Sequence, residues 1–145
     1  MKFRIKILAI LILLISVFVW FDQSRSFYYL SEKQCFTVWK RLGNKCYIVS
    51  GKYFGIIKPS RYIKTTNDNA LTIIDVDSSD YKYAVSNDYG KNVKIDLDQK
   101  TEFFDYNERK TFVDKYYVKG RIRGGLKYLM LDLKENLVVV NGIKQ

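Results

Sequence analysis

The opening stretch "MKFRIKILAILILLISVFVWFDQ" constrains this chain more than any other: Ile5 to Phe21 carries a single charge, Lys6, behind a flank that holds Lys2 and Arg4. A helix over that run rises about 25 Å, a little short of a hydrocarbon core of roughly 30 Å, and the side chains of Arg4 and Lys6 can snorkel across the difference. A cleaved export signal carries a shorter apolar region followed by small residues. Here the run ends in the bulky "SVFVWF", and "SRS" at Ser24 to Ser26 is a poor cleavage site. The reading is therefore an uncleaved single-pass anchor over residues 1–21, touching lipid through residues 5–21, with a cleaved signal as the alternative. Trp20, Phe21, Phe27, Tyr28 and Tyr29 stand where an interfacial aromatic belt would lie. Cations crowd the N-terminal side of the run, so the positive-inside bias keeps that side in the cytoplasm and places everything after it outside.

Beyond the anchor the sequence divides into a juxtamembrane linker, 22–33, and one globular domain, 34–145. Hydrophobic residues make up 48% of the chain and charged residues 28%, which suits a domain with a real core and excludes a disordered tail or a polytopic membrane protein. Charge is segregated. Nine basic residues face two acidic ones across 22–67, four face ten across 68–108, and nine face three across 109–145. Opposite blocks can neutralise one another on a folded surface, or they can leave a cationic face for an anionic partner.

Most of the domain shows a period of two. "VKIDLD" alternates Val93, Ile95 and Leu97 with Lys94, Asp96 and Asp98, "YKYAVS" does nearly the same, and "ALTIIDV" is a third strand. Turn-rich "DSSD" and "SNDYGKN" join the three, predicting an antiparallel meander over 70–98. "CYIVS", "YFGIIK" and "RYIKT" are shorter strand candidates, and "KYLMLDL" with "LVVVN" around "KEN" predicts a final hairpin. "DYNERKTFVDKYYVKG" departs from this pattern: Asp105 and Glu108 match a capping box, and Phe112, Val113, Tyr116 and Tyr117 form a helical stripe suited to packing on the sheet. The fold class is mainly β: an N-terminal transmembrane helix, then a small antiparallel β domain, a sandwich or partly open barrel, with one or two short helices.

Two cysteines, Cys35 and Cys46, would sit in an oxidising compartment if the domain lies outside the cytoplasm, and a bridge between them would close a loop worth on the order of 3 kcal/mol. Two local structures compete. A two-residue turn on Gly43 and Asn44 would put Cys46 opposite Arg41, with Cys35 out of reach along the hairpin. A helix capped by "SEKQ" would instead carry Cys35, Val38, Trp39 and Leu42 on one face and allow a returning strand to bring Cys46 back.

The chain has no histidine, which removes Ser-His-Asp and Cys-His arrangements and His-ligated zinc. Carboxylates remain. Asp96 and Asp98 would share a strand face about 6 to 7 Å apart, a spacing any wet D-x-D strand gives. "DVDSSD", with Asp75, Asp77 and Asp80, begins like a calcium loop but has Asp80 where the turn glycine belongs and Ser86 in place of the closing glutamate. No phosphate-binding glycine loop is present, and no cofactor is implied. "KGRIRGG" would place Lys119, Arg121 and Arg123 on one face of an extended strand near tyrosines, suited to phosphate-rich partners or to a charged protective edge. Outside the cytoplasm such a stripe favours anionic lipid, glycan or protein over nucleic acid. The functional expectation is a non-enzymatic, membrane-anchored envelope domain that binds a protein or anionic surface partner. The alternatives are an envelope hydrolase using Asp75, Asp77, Asp96 or Asp98, and a cytoplasm-facing polyanion binder using Lys119, Arg121 and Arg123.

Overall fold

Alternating side chains make this chain a strand former, and two largely antiparallel sheets result. The computed structural model describes the backbone of residues 2–23 and 25–145, and the side chains of that set apart from 2, 3, 19 and 21–23. Ser24 of the weak cleavage site and the side chains of Lys2 and Phe21 thus lie outside the described residues. Helix α1 (Lys2–Gln23) leads into β1 (Arg25–Ser31), β2 (Gln34–Arg41), β3 (Lys45–Ser50) and β4 (Tyr62–Thr65). β5 (Ala70–Asp75), β6 (Tyr83–Asn87), β7 (Lys94–Asp96) and β8 (Thr101–Phe104) follow. A single 3-10 turn (Tyr106–Glu108) opens α2 (Arg109–Tyr116), and β9 (Tyr117–Val118), β10 (Arg121–Ile122), β11 (Lys127–Asp132), β12 (Leu137–Val140) and β13 (Ile143–Lys144) complete the chain.

One sheet has the order β1-β2-β3-β4-β7 and a second the order β13-β12-β11-β5-β6-β8, with β9 and β10 as a separate hairpin. The sheets pack face to face as a sandwich. Phe36, Val38, Cys46, Ile48 and Ile63 from the first meet Leu71, Ile73, Val85, Leu129 and Leu131 from the second in one buried cluster. The second sheet is covered on its other face too, where Ile74, Ala84 and Phe104 pack under Phe112 and Tyr116 of α2. That double burial explains why β5 and β6 are near-continuous apolar or small runs. On the outer face of the first sheet, Trp39, Tyr47, Val49 and Tyr62 form a third layer beneath Tyr53.

Several local expectations stand. The capping box forms, with the Glu108 carboxylate accepting the Asp105 backbone N–H at 3.0 Å, and the helical stripe is core at Phe112 and Tyr116. β11 and β12 make the predicted hairpin. The meander over 70–98 is corrected. β5 and β6 pair as expected, but β7 crosses to the first sheet and pairs with β4, while β6 takes β8 as a parallel neighbour. β7 is short and amphipathic, and Ile95 and Leu97 reach the inter-sheet core only from the edge of the first sheet. "YFGIIK" is not a strand but an irregular loop over the aromatic layer. The linker at 22–33 is also revised: from Arg25 onward it is β1, and Tyr28 packs against the core rather than joining an aromatic belt.

The helix considered for residues 31–42 is likewise corrected to strand β2, as its β-branched and aromatic content favours. Arg41 pairs with Lys45, so the loop holds Leu42, Gly43 and Asn44, and Cys46 faces Lys40 rather than Arg41. Both cysteines are free and buried. Cys46 points into the inter-sheet core with Phe36 and Val38. Cys35 alternates with Phe36 and so faces the other side of the sheet. Thiols on opposite faces, several residues apart along a hairpin, cannot be joined without rebuilding the sheet. Burial pushes the Cys46 thiol up to about 12, which keeps it protonated.

Among the described residues no helix is long and apolar enough to cross a membrane. The described side chains of α1 are nonetheless exposed without a break through Ile10, Leu11, Ile12, Leu13, Leu14 and Ile15. Six consecutive residues exceed one helical turn, so among the described residues nothing covers any side of that segment.

Candidate functional site

The strand ends remote from α1 converge on a cleft of about 680 Å³. β1 climbs from Arg25 to Ser31, roughly 20 Å at strand rise, and its turn into β2 supplies Lys33 and Gln34. The end of β3 contributes Ser50 and the loop beyond it Lys52, Lys82 immediately precedes Tyr83 at the start of β6, and β5 and β11 deliver Asp75 and Lys127, which are register partners. The cleft is therefore built across the mouth of the sandwich, from both sheets.

Tyr83 forms its floor. It is buried, its ring meets Phe36 edge-on at 5.4 Å, and its hydroxyl receives Gln34 Nε2 at 3.2 Å and shares a hydrogen bond with Ser50 at 3.2 Å. These contacts tie the two sheets together at the cleft end. The backbone N–H of Gly51 donates to the Cys35 carbonyl at 2.7 Å and fixes the start of the following loop.

Lys33, Lys52, Lys82 and Lys127 outnumber Glu32 and Asp75 along the walls. Lys82 is the most constrained, its ammonium 2.9 Å from Asp77 and 3.2 Å from Asp75. Its hydrogen bond to Asp77, aided by Asp75, raises its pKa, so it stays cationic. The Asp75 contact is an ion pair and not an aligned hydrogen bond, since that carboxylate oxygen has no hydrogen-bond partner among the protein atoms. Lys52 lies 5.5 Å from the centre of the Tyr29 ring, and hydrogen bonding with the Tyr29 hydroxyl raises its pKa as well. A concave, partly apolar surface with excess fixed positive charge suits a carboxylate or phosphate group.

Of the candidate site residues singled out from sequence, Cys35 and Asp75 line the cleft and the others are elsewhere. Lys119 and Gly120, both at positive φ, form the two-residue turn between β9 and β10, which interrupts the extended run before Arg121. Arg123 lies past the end of β10 and donates to the Asp114 carbonyl at 3.3 Å. All three cations are exposed, and none lines the cleft. Asp96 and Asp98 are clasped by one guanidinium, with Arg61 at 3.2 Å and 2.5 Å respectively. Of the four aspartates considered as catalytic, only Asp75 reaches the cleft. Among the described residues no group of three or more carboxylates and cysteines is arranged to hold a metal ion. The cleft lysines come from separate segments: Lys33 and Lys52 belong to the basic block 22–67, Lys127 to the basic block 109–145 near the Lys119, Arg121 and Arg123 stripe, and Lys82 stands in the acidic block, so no local pattern groups them. No protein-family model, curated protein or solved structure matches the chain.

Proposed function

We propose that this chain is a single-pass membrane protein whose β-sandwich, held outside the cytoplasm, binds an anionic partner in the cleft without catalysing its conversion. The observation that carries the binding role is the convergence of Lys33, Lys52 and Lys127, from both sheets, on one concave surface beside a Lys82 that Asp75 and Asp77 hold. Binding is favoured over hydrolysis because the candidate aspartates do not converge. Asp75 and Asp77 share Lys82, and Asp96 and Asp98 share Arg61, so each pair is bridged by a single cation rather than poised as acid and base.

Support for the anchor comes from α1. A helical segment that is apolar on every side and exposed at each of its described residues from Ile10 to Ile15 is suited to lipid. The apolar run extends in sequence through Val19 and Phe21, whose side chains lie outside the described residues. The N-terminal cations support the outward placement of the sandwich.

The binding test uses the full chain in nanodiscs, titrated with inorganic phosphate and with an acidic peptide. Lys52→Glu combined with Lys127→Glu should weaken salt-sensitive binding by about tenfold or more, since each reversal changes a charge at the wall. Replacing Lys119, Arg121 and Arg123 by alanine should leave it intact. Binding that survives the first change and falls with the second would transfer the role to the β9–β10 hairpin. Protease accessibility of the sandwich in intact spheroplasts checks sidedness, and digestion only after permeabilisation would reverse it.

A further inference from the structure

The loop between β3 and β4 carries an apolar tip for which the sandwich has no use. Phe54, Ile56 and Ile57 are 64%, 62% and 71% exposed within one short stretch, a denser apolar group than scattered single exposures such as Val118 and Ile143. The loop is nevertheless held. Tyr53 donates from its backbone to Thr37 Oγ1 at 2.9 Å and its ring lies tilted against Trp39 with centroids 5.8 Å apart, and its hydroxyl donates to the Ile57 carbonyl at 2.5 Å. The guanidinium of Arg25 lies 4.5 Å over the Trp39 ring and donates to the Gly55 carbonyl at 2.7 Å. Phe54 leans on Phe27 at 5.3 Å. Loop position and α1 are thereby linked: Arg25 opens β1, and α1 ends at Gln23.

The surroundings match a charged interface. Lys58 follows the tip and sits 4.5 Å over the Tyr62 ring. The β2–β3 turn runs beyond the Arg25–Trp39 pair at the same end, presenting Leu42, 66% exposed, between Arg41 and Lys45. Apolar tips ringed by lysine and arginine are what an anionic bilayer surface accommodates, with side chains at the acyl boundary and cations among headgroups.

We infer that Phe54, Ile56 and Ile57 form a second membrane contact, dipping into the leaflet from which α1 emerges and fixing the orientation of the sandwich on its anchor. This rests on the anchor proposed above. It commits the tip to lipid, and it turns the cleft, at the far end of β1, away from the bilayer.

The test reconstitutes the full chain, carrying Cys35→Ser, into phosphatidylcholine–phosphatidylglycerol vesicles with an environment-sensitive fluorophore at Ile57→Cys or, at the opposite end, Ser79→Cys. Flotation with the vesicles reads the anchor, and quenching by lipid-borne quenchers reads the loop. The inference expects flotation of both, with quenching and a blue-shifted emission at 57 and neither at 79. Adding Lys45→Glu or Lys58→Glu should weaken immersion of the tip by about fivefold per charge while flotation persists. Flotation with position 57 unquenched, or with 57 and 79 quenched alike, overturns the loop contact and leaves the anchor standing. Failure to float overturns both.

Discussion

Tyr83 offers the sharpest test of how the sandwich is closed at its cleft. Its ring belongs to the inter-sheet core, while its hydroxyl is the junction between Gln34 of β2, Ser50 of β3 and its own strand, β6. The two contributions separate by mutation. Tyr83→Phe keeps the ring and deletes one hydroxyl that serves two partners, both of them at the cleft edge where water can replace it in part, so the loss should be about 1 kcal/mol. Tyr83→Ala also empties a ring-sized volume next to Phe36 and should cost about 3 to 5 kcal/mol. With a urea m-value of about 1.5 kcal/mol/M, the midpoint should fall by roughly 0.7 M for the first change and by more than about 2 M for the second. Urea titration of the nanodisc-embedded chain, followed by tryptophan emission from Trp39 in the buried aromatic layer, measures both. Equal losses from the two variants would mean that the hydroxyl contacts, not the ring, close the mouth. A Tyr83→Phe variant as stable as the parent would remove the sheet-to-sheet tie from the account.

Two further expectations follow from contacts at the α1 end of the sandwich. Arg25→Ala removes a charge-assisted hydrogen bond to Gly55 and the stacking on Trp39, so residues 51–57 should lose amide-exchange protection by about 2 kcal/mol ahead of the strands, and Arg25→Lys should recover little because an ammonium cannot reproduce the planar fork; unchanged protection would mean the loop is held by Tyr53 alone. Asp68 is held down to about 2 by the adjacent Thr66 hydroxyl first, then by Asn44 at 3.4 Å and Lys91 at 3.3 Å. A lowered native pKa makes its contribution complete above the ordinary carboxylate value of 3.8 and lost as pH falls toward 2, so thermal midpoints of the parent should drop more steeply over that window than those of Asp68→Asn, and parallel curves would refute the linkage.

Local chemistry along the chain was enough to assign the strand character of 45–50, 62–65 and 70–75, the hairpin at 127–140, and the capped helix after Asp105. Each depends on side-chain alternation or capping within a few residues, which a linear pattern carries. It also fixed the apolar, charge-flanked nature of the first helix and the lack of any histidine chemistry. Strand partnership was different. β7 has the same alternation whether it lies beside β6 or β4, and its transfer to the first sheet was decided by where Ile95 and Leu97 could reach a core made by residues far away in sequence. The two cysteines were a matter of parity: one residue of register separates a thiol in the core from one on the outer face, and sequence left both strand and helix open there. The cleft is the extreme case, because Lys33, Lys52, Lys82 and Lys127 become neighbours only when two sheets close on each other, and long-range packing, not any local preference, brings their charges together.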